Sequence, residues 1–113
     1  MHEAIARRLE AIGADTEEIA RHWLAADPSG EGIEWALRAA NGLAARHAYD
    51  GAASFYRQAL AIRGDRASDL HLRLSEVLEA GGDSIGALRH LGLARRGAGP
   101  KDAREIRARA ARI

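Results

Sequence analysis

Apolar residues recur every three or four positions along this chain, and Gly-, Pro- and Asp-rich breaks divide the pattern into about seven helical segments. Ile5, Leu9 and Ile12 share one face of a predicted helix over 2–12, Glu3, Arg7, Arg8 and Glu10 cover the other, and Gly13 ends it. Asp15-Thr16-Glu17-Glu18 reads as an N-cap with a glutamate three residues later. It opens a second helix to Ala26, with Ile19, Trp23 and Ala26 in one row. Asp27-Pro28-Ser29-Gly30 reads as a break. A third helix is predicted over 32–47 on Ile33, Leu37, Ala40 and Leu43. Tyr49-Asp50-Gly51 reads as a turn, with Asp50 capping a fourth helix over 51–62 that Gly64-Asp65 closes. The fifth covers 67–80, with Leu70, Leu74 and Leu78 in one row. Gly81-Gly82-Asp83 is a glycine stop followed by a cap, the sixth helix covers 84–96, and Ser29 and Ser84 also stand at capping positions. After Gly97-Ala98-Gly99-Pro100, the seventh fills the remainder on Ile106 and Ile113. Connections this short make neighbouring helices pack antiparallel.

Composition supports an all-α domain. Of 113 residues 47% are hydrophobic but only 4% aromatic, so the apolar content is mostly Ala, Leu and Ile, which favours helix over strand. The length fits one domain with a modest core. The net charge of +1 gives no general attraction to nucleic acid or membrane. Its distribution is uneven, with an acidic excess over 1–34 and a basic excess over 95–113. The absence of cysteine excludes disulfides, thiolate metal sites and a thiol nucleophile. No apolar run reaches the length of a membrane span and no signal peptide is evident, so a cytoplasmic location is expected.

A repeat lies under the periodicity. Shifted by 35 residues, Leu37 falls on Leu72, Arg38 on Arg73, Leu43 on Leu78, Gly51 on Gly86, Ala52 on Ala87, Ala59 on Ala94 and Gly64 on Gly99. Tyr56 meets Leu91. The third and fourth helices are thus one helix–turn–helix unit and the fifth and sixth its second copy. Ala52, Tyr56 and Ala59 alternate small, large and small along one face, which lets two helix axes approach while the large residue fills the groove between them. This assigns Tyr56, in the aromatic-rich stretch AYDGAASFYRQAL, to an inter-helix seam, and Tyr49 to the turn before it. Phe55 is left as the aromatic residue for a partner or a neighbouring repeat. Trp23 and Trp35 are assigned mainly to the core.

The pattern Ala52-x-x-x-Tyr56-x-x-Ala59-Leu60, and then Gly82-x-x-x-x-Ala87-x-x-x-Leu91-x-x-Ala94, resembles the second helix of tetratricopeptide repeats. The first helices depart from that family. Its tryptophan position holds Ala36 and His71, its glycine position Ala40 and Ser75, and Gly64 and Gly99 replace its closing proline. The segment from Glu3 to Leu60 is similar to the helical-repeat region of bacterial STAND-type regulatory ATPases, including LuxR-type transcription regulators. There is no G-x-x-x-x-G-K-[ST] phosphate loop, so the ATPase activity does not carry over. The resemblance implies tetratricopeptide-like antiparallel hairpins stacked in a short right-handed superhelix. A degenerate first hairpin covers 1–31, clear repeats cover 32–64 and 65–99, and a C-terminal helix covers 100–113. It also implies a sensing or protein-binding arm of a transcriptional or signalling regulator.

Candidate chemistry is sparse. His2, His22, His47, His71 and His90 form no H-E-x-x-H or other close metal pair and read as structural, although His71 and His90 lie on paired helices and can approach each other. No serine has a nucleophile-elbow context, and Glu17-Glu18 are first-turn residues favoured by the helix dipole. No enzyme activity, cofactor or metal is expected. The arginines of the last helix spread around it without aromatic partners, which keeps nucleic-acid binding as an alternative rather than the first expectation. Apolar terminal faces without polar caps keep a homo-oligomeric scaffold, such as a homodimer, as another. The first expectation is a module that binds a protein, a peptide or neighbouring domains of a larger chain. The resemblance implies that the first helices of the repeats line the concave side and place Glu34, Arg38, Asn41, Asp69, Arg73 and Glu76 there; Phe55, left over by the repeat, is a further expected contact. Asn41 and Arg73 are a partial echo of the carboxylate clamp of some tetratricopeptide proteins, which is not complete here.

Overall fold

The computed structural model describes residues 2–11, 15–64 and 67–113. The helices are α1 (His2–Ala11), α2 (Thr16–Ala26), α3 (Ile33–Ala45), α4 (Tyr49–Arg63), α5 (Ser68–Ala80), α6 (Ser84–Arg96) and α7 (Pro100–Ala111). No strand occurs among the described residues. The fold is all-α, as the composition and the apolar period require. The predicted ends at Ile12, Gly13 and Asp65 lie outside the described residues.

Two predicted boundaries are refined. α2 ends at Ala26 as predicted, but the break that follows holds a π-helical turn, Pro28–Gly32, which runs directly into α3. Asp27 donates its backbone N–H to the Trp23 carbonyl at 2.7 Å and accepts the Glu31 N–H on its carboxylate at 3.3 Å. Gly32 makes this fold-back possible, because a Cβ there would lie 2.7–2.9 Å from the backbone of Asp27, Leu24 and Trp23. The second correction is at α4, which starts at Tyr49 with Ala48 as its N-cap and no side-chain capping bond. Asp50 lies inside the first turn, where its charge still meets the positive end of the helix dipole. Asp15 and Asp83 do cap, accepting from Glu17 N–H at 3.1 Å and Gly86 N–H at 2.9 Å. The caps at the two serine positions are therefore their aspartate neighbours Asp27 and Asp83.

The two repeat units close their first helices in the same way. Ala48 N–H bonds the Leu43 carbonyl at 2.8 Å and His47 N–H the Ala44 carbonyl at 3.0 Å. Asp83 N–H bonds Leu78 at 2.7 Å and Gly82 N–H bonds Glu79 at 3.0 Å. This paired closure satisfies carbonyls that the helix end would otherwise leave free, and it needs one residue in the left-handed region. That residue is His47 (φ 63°) in the first unit and Gly82 (φ 94°) in the second.

Each helix packs against its neighbours in sequence, most extensively within the α3–α4 and α5–α6 pairs, in a body of 46 × 25 × 18 Å. The main core joins α2 through α6 and includes Ala36, Leu43, Ala52, Tyr56, Ala59, Leu70, Leu74 and Ala87. A smaller cluster of Ala6, Ile19 and Trp23 holds α1 on α2, and Trp35 packs on both clusters. Leu91, Ala94 and Ile106 hold α7 on α6. The small–large–small row is buried in both copies, since Ala52, Tyr56 and Ala59 match Ala87, Leu91 and Ala94 in exposure. No helix among the described residues is long and apolar enough to cross a membrane.

Candidate functional site

The polar row on α3 and α5 follows from helical spacing. Glu34, Arg38 and Asn41 lie on the side of α3 opposite Ala36, Ala40 and Leu43, which face the core. Asp69, Arg73 and Glu76 repeat that register on α5, opposite the buried His71, Ser75 and Leu78. All six are exposed.

The structure joins these residues in three ways. At the centre, the Asn41 side-chain oxygen accepts from Arg73 Nη1 at 3.1 Å and from the Tyr56 hydroxyl, so one amide ties α3, α4 and α5 together. At one side, the Arg38 guanidinium lies 4.7 Å from the centre of the Trp35 ring. The buried Trp35 Nε1 beneath it has no hydrogen-bond partner. At the other side the two acidic members on α5 are held in ion pairs: Asp69 pairs with Arg63 at 3.2 Å and Glu76 with Arg109 of α7 at 3.1 Å. Both are solvent-exposed pairs of small energetic weight, and they orient the carboxylates rather than hold the fold. Asp69 and Arg109 also border a cleft of about 400 Å³ between α5 and α7, with Leu72 and Ile106 in its wall.

Phe55 is not a surface contact. It is 4% exposed and belongs to the main core cluster. The 35-residue shift pairs it with His90, which is itself 7% exposed, so the position is a core position in both units. Sequence reasoning placed it outside because histidine is an uncommon core residue.

The histidine pair is the site's most unusual chemistry. His71 (3% exposed) and His90 face each other across α5 and α6, with Nδ1 atoms 3.0 Å apart and rings stacked at 5.2 Å. One Nδ1 must carry a proton and the other a lone pair. His71 Nε2 is buried without a partner. A buried N–H without an acceptor is the rarer and costlier orphan, which assigns the His71 proton to Nδ1 and the His90 proton to Nε2. His90 then has no free lone pair for a second proton. Burial lowers its pKa to about 4, helped by the nearby His71, Arg89 and Arg57 and opposed by Asp83.

Three contributions escaped the sequence reading. The Tyr56 hydroxyl was hidden by the side chain's role in the seam. Arg63 and Arg109 lie on elements whose approach to α5 has no local signal. The Asn41–Arg73 bond could be anticipated only as a partial clamp. No known family model matches the sequence, and no curated protein matches it.

Proposed function

We propose that the chain is a non-catalytic, tetratricopeptide-like helical-repeat module that binds a protein or peptide along the face shared by α3 and α5. The observation that carries this reading is the Asn41 bridge. Its oxygen already serves Arg73 and Tyr56, so the donors left on this face are the Asn41 amide N–H groups and the guanidiniums of Arg38 and Arg73. These donors, with the exposed carboxylate of Glu34 one turn before Arg38, suit the acceptor groups of an extended peptide or a carboxylate. Its mechanism is shape and hydrogen bonding, without covalent chemistry. The resemblance from Glu3 to Leu60 supports reading such a module as part of a STAND-type regulator, where occupancy of the face would alter packing against neighbouring domains.

The test is a screen of the protein against a peptide array, repeated with the Asn41→Ala/Arg73→Ala double variant. Peptides captured by the parent and weakened about tenfold or more by the double variant, at unchanged helicity, would support the proposal. Equal capture by both proteins would remove the α3–α5 face from consideration.

A further inference from the structure

We propose that the outer face of α6, with the groove between α6 and α7, docks an acidic amphipathic helix of a partner protein. This surface is separate from the α3–α5 face and does not depend on the reading given above. Ile85 is 84% exposed and Leu88 42% exposed, one helical turn apart on the same face of α6. The stripe continues through Gly92, where an added Cβ would meet nothing within 4 Å. That opening leads into a groove of about 150 Å³ floored by Leu91 and Ile106. A concave, apolar strip with helical spacing matches the anchors of an amphipathic helix at i, i+3 and i+7.

Charge selects the partner. The only charged residues lining the groove are Arg95 and Arg107. The two carboxylates of α7, Asp102 and Glu105, lie on its other side and line the cleft toward α5. Asp83, the nearest carboxylate to Ile85 in sequence, is engaged as the cap of α6. Both carboxylates of α7 thus lie away from the groove, with Arg109 beside them at the cleft, and the α6 side carries positive charge beside apolar surface. An acidic rim around leucine-type anchors complements both features. Asp50 and Ala53 occupy the equivalent positions on α4, where Ala53 is buried in the core shared with α5, so the α6 face corresponds to a packing surface that is left open at Leu88. Two exposed apolar side chains are too few to insert into a bilayer, and no aromatic residue is present to stack on bases.

The probe is a fluorescein-labelled synthetic helix of about five turns, with a leucine stripe flanked by glutamates, read by anisotropy against the whole chain. Its counterpart carries lysine for every glutamate. The glutamate peptide is expected to bind, with affinity falling as salt rises, and the lysine peptide to bind at least about tenfold more weakly. Leu88→Glu is expected to weaken binding about tenfold or more, and Leu88→Ser to weaken it without the added repulsion. Circular dichroism confirms that both Leu88 variants keep their helicity. The proposal is overturned if both peptides bind equally, if neither binds, or if Leu88→Glu has no effect. It is also overturned if only phosphatidylserine vesicles or an oligonucleotide bind, or if sedimentation shows a dimer that Leu88→Glu disperses. That last result would assign the face to a second copy of the chain.

Discussion

Ala36 and Phe55 of the α3–α4 hairpin occupy the positions that His71 and His90 occupy in α5–α6, and all four side chains are buried. One hairpin fills the place with a methyl group and a phenyl ring. The other fills it with two imidazoles that must share a single proton between their facing nitrogens. The surrounding frame is the same in both, from Leu43 and Leu78 to the small–large–small rows. The difference shows that this position constrains shape and leaves polarity open, provided the polar version satisfies its own hydrogen bond. The second hairpin thereby gains a buried imidazole whose pKa is lowered by burial.

The largest effects should come from breaking the apolar version. Phe55→Ala removes a fully packed ring and is expected to cost about 3–5 kcal/mol, read from the urea midpoint at neutral pH. His90→Ala removes a smaller ring and leaves the His71 N–H without its acceptor, and should cost about 1–3 kcal/mol. Equal costs at the two positions would mean that the hairpins are not equivalent in packing.

The pH dependence follows from His90. Its folded pKa of about 4 lies below its ordinary value of 6.5. Between those values the unfolded chain takes up a proton that the folded chain refuses, so stability rises with pH across this window. The contribution is complete above about pH 6.5 and is lost as pH falls through 4, to a total of about 3 kcal/mol. The double variant His71→Ala/His90→Phe copies the first hairpin. Thermal unfolding of both proteins from pH 4 to 7 should show a parent curve falling faster toward acid than that of the variant. Parallel curves would mean that the imidazoles protonate without opposing the α5–α6 contact.

This asymmetry also explains what could be read in advance. The all-α class and most helix limits followed from apolar spacing and from glycine and aspartate punctuation, because those signals are local. The equivalence of the hairpins followed from the 35-residue shift. The burial of Phe55 could have followed from the same shift, since positions on the inner faces of the two hairpins are buried alike, as Ala52 and Ala87 are. It was missed because His90, judged alone, reads as a surface residue. The bonds of the candidate face were less legible. Asn41 to Arg73 and Glu76 to Arg109 each join residues 32 or more apart, through long side chains that adopt many rotamers. Periodicity gives the face such a side chain occupies but not its partner.

A smaller contrast lies in the turns. His47 and Gly82 take the same left-handed conformation, but only Gly82 does so without a Cβ. His47 Nδ1 and the Tyr49 hydroxyl lie 2.6 Å apart, a contact that offsets the strain. Gly82→Ala introduces the strain alone and is expected to cost about 1–2 kcal/mol. His47→Gly relieves the strain but loses the Tyr49 contact, so its effect on Tm should be near zero. A clear gain from His47→Gly would show that the Tyr49 contact adds nothing to stability.

The finest distinction is at the residue after each turn. Asp83 caps α6 through Gly86 N–H, while Ala48 stands at the same place before α4 with no side-chain bond to offer. The two backbones match, with φ −95° and ψ 78° at Asp83 and φ −89° and ψ 71° at Ala48. Asp83→Ala should therefore cost about 1 kcal/mol. Ala48→Asp should place a carboxylate within reach of Gly51 N–H. Its gain should be smaller, about 0.5 kcal/mol, because Ala48 packs partly against the core and an aspartate there gives up some hydration. Chemical denaturation of the two single variants and their combination measures both terms. The two turns border a common cleft through Tyr49, Asp50, Gly81 and Asp83, so the combined variant also measures the coupling between them. A loss of stability from Ala48→Asp would show that the apolar contact of Ala48 outweighs the missing cap, and that the first hairpin gives up capping for packing as it gives up the histidine pair for Phe55.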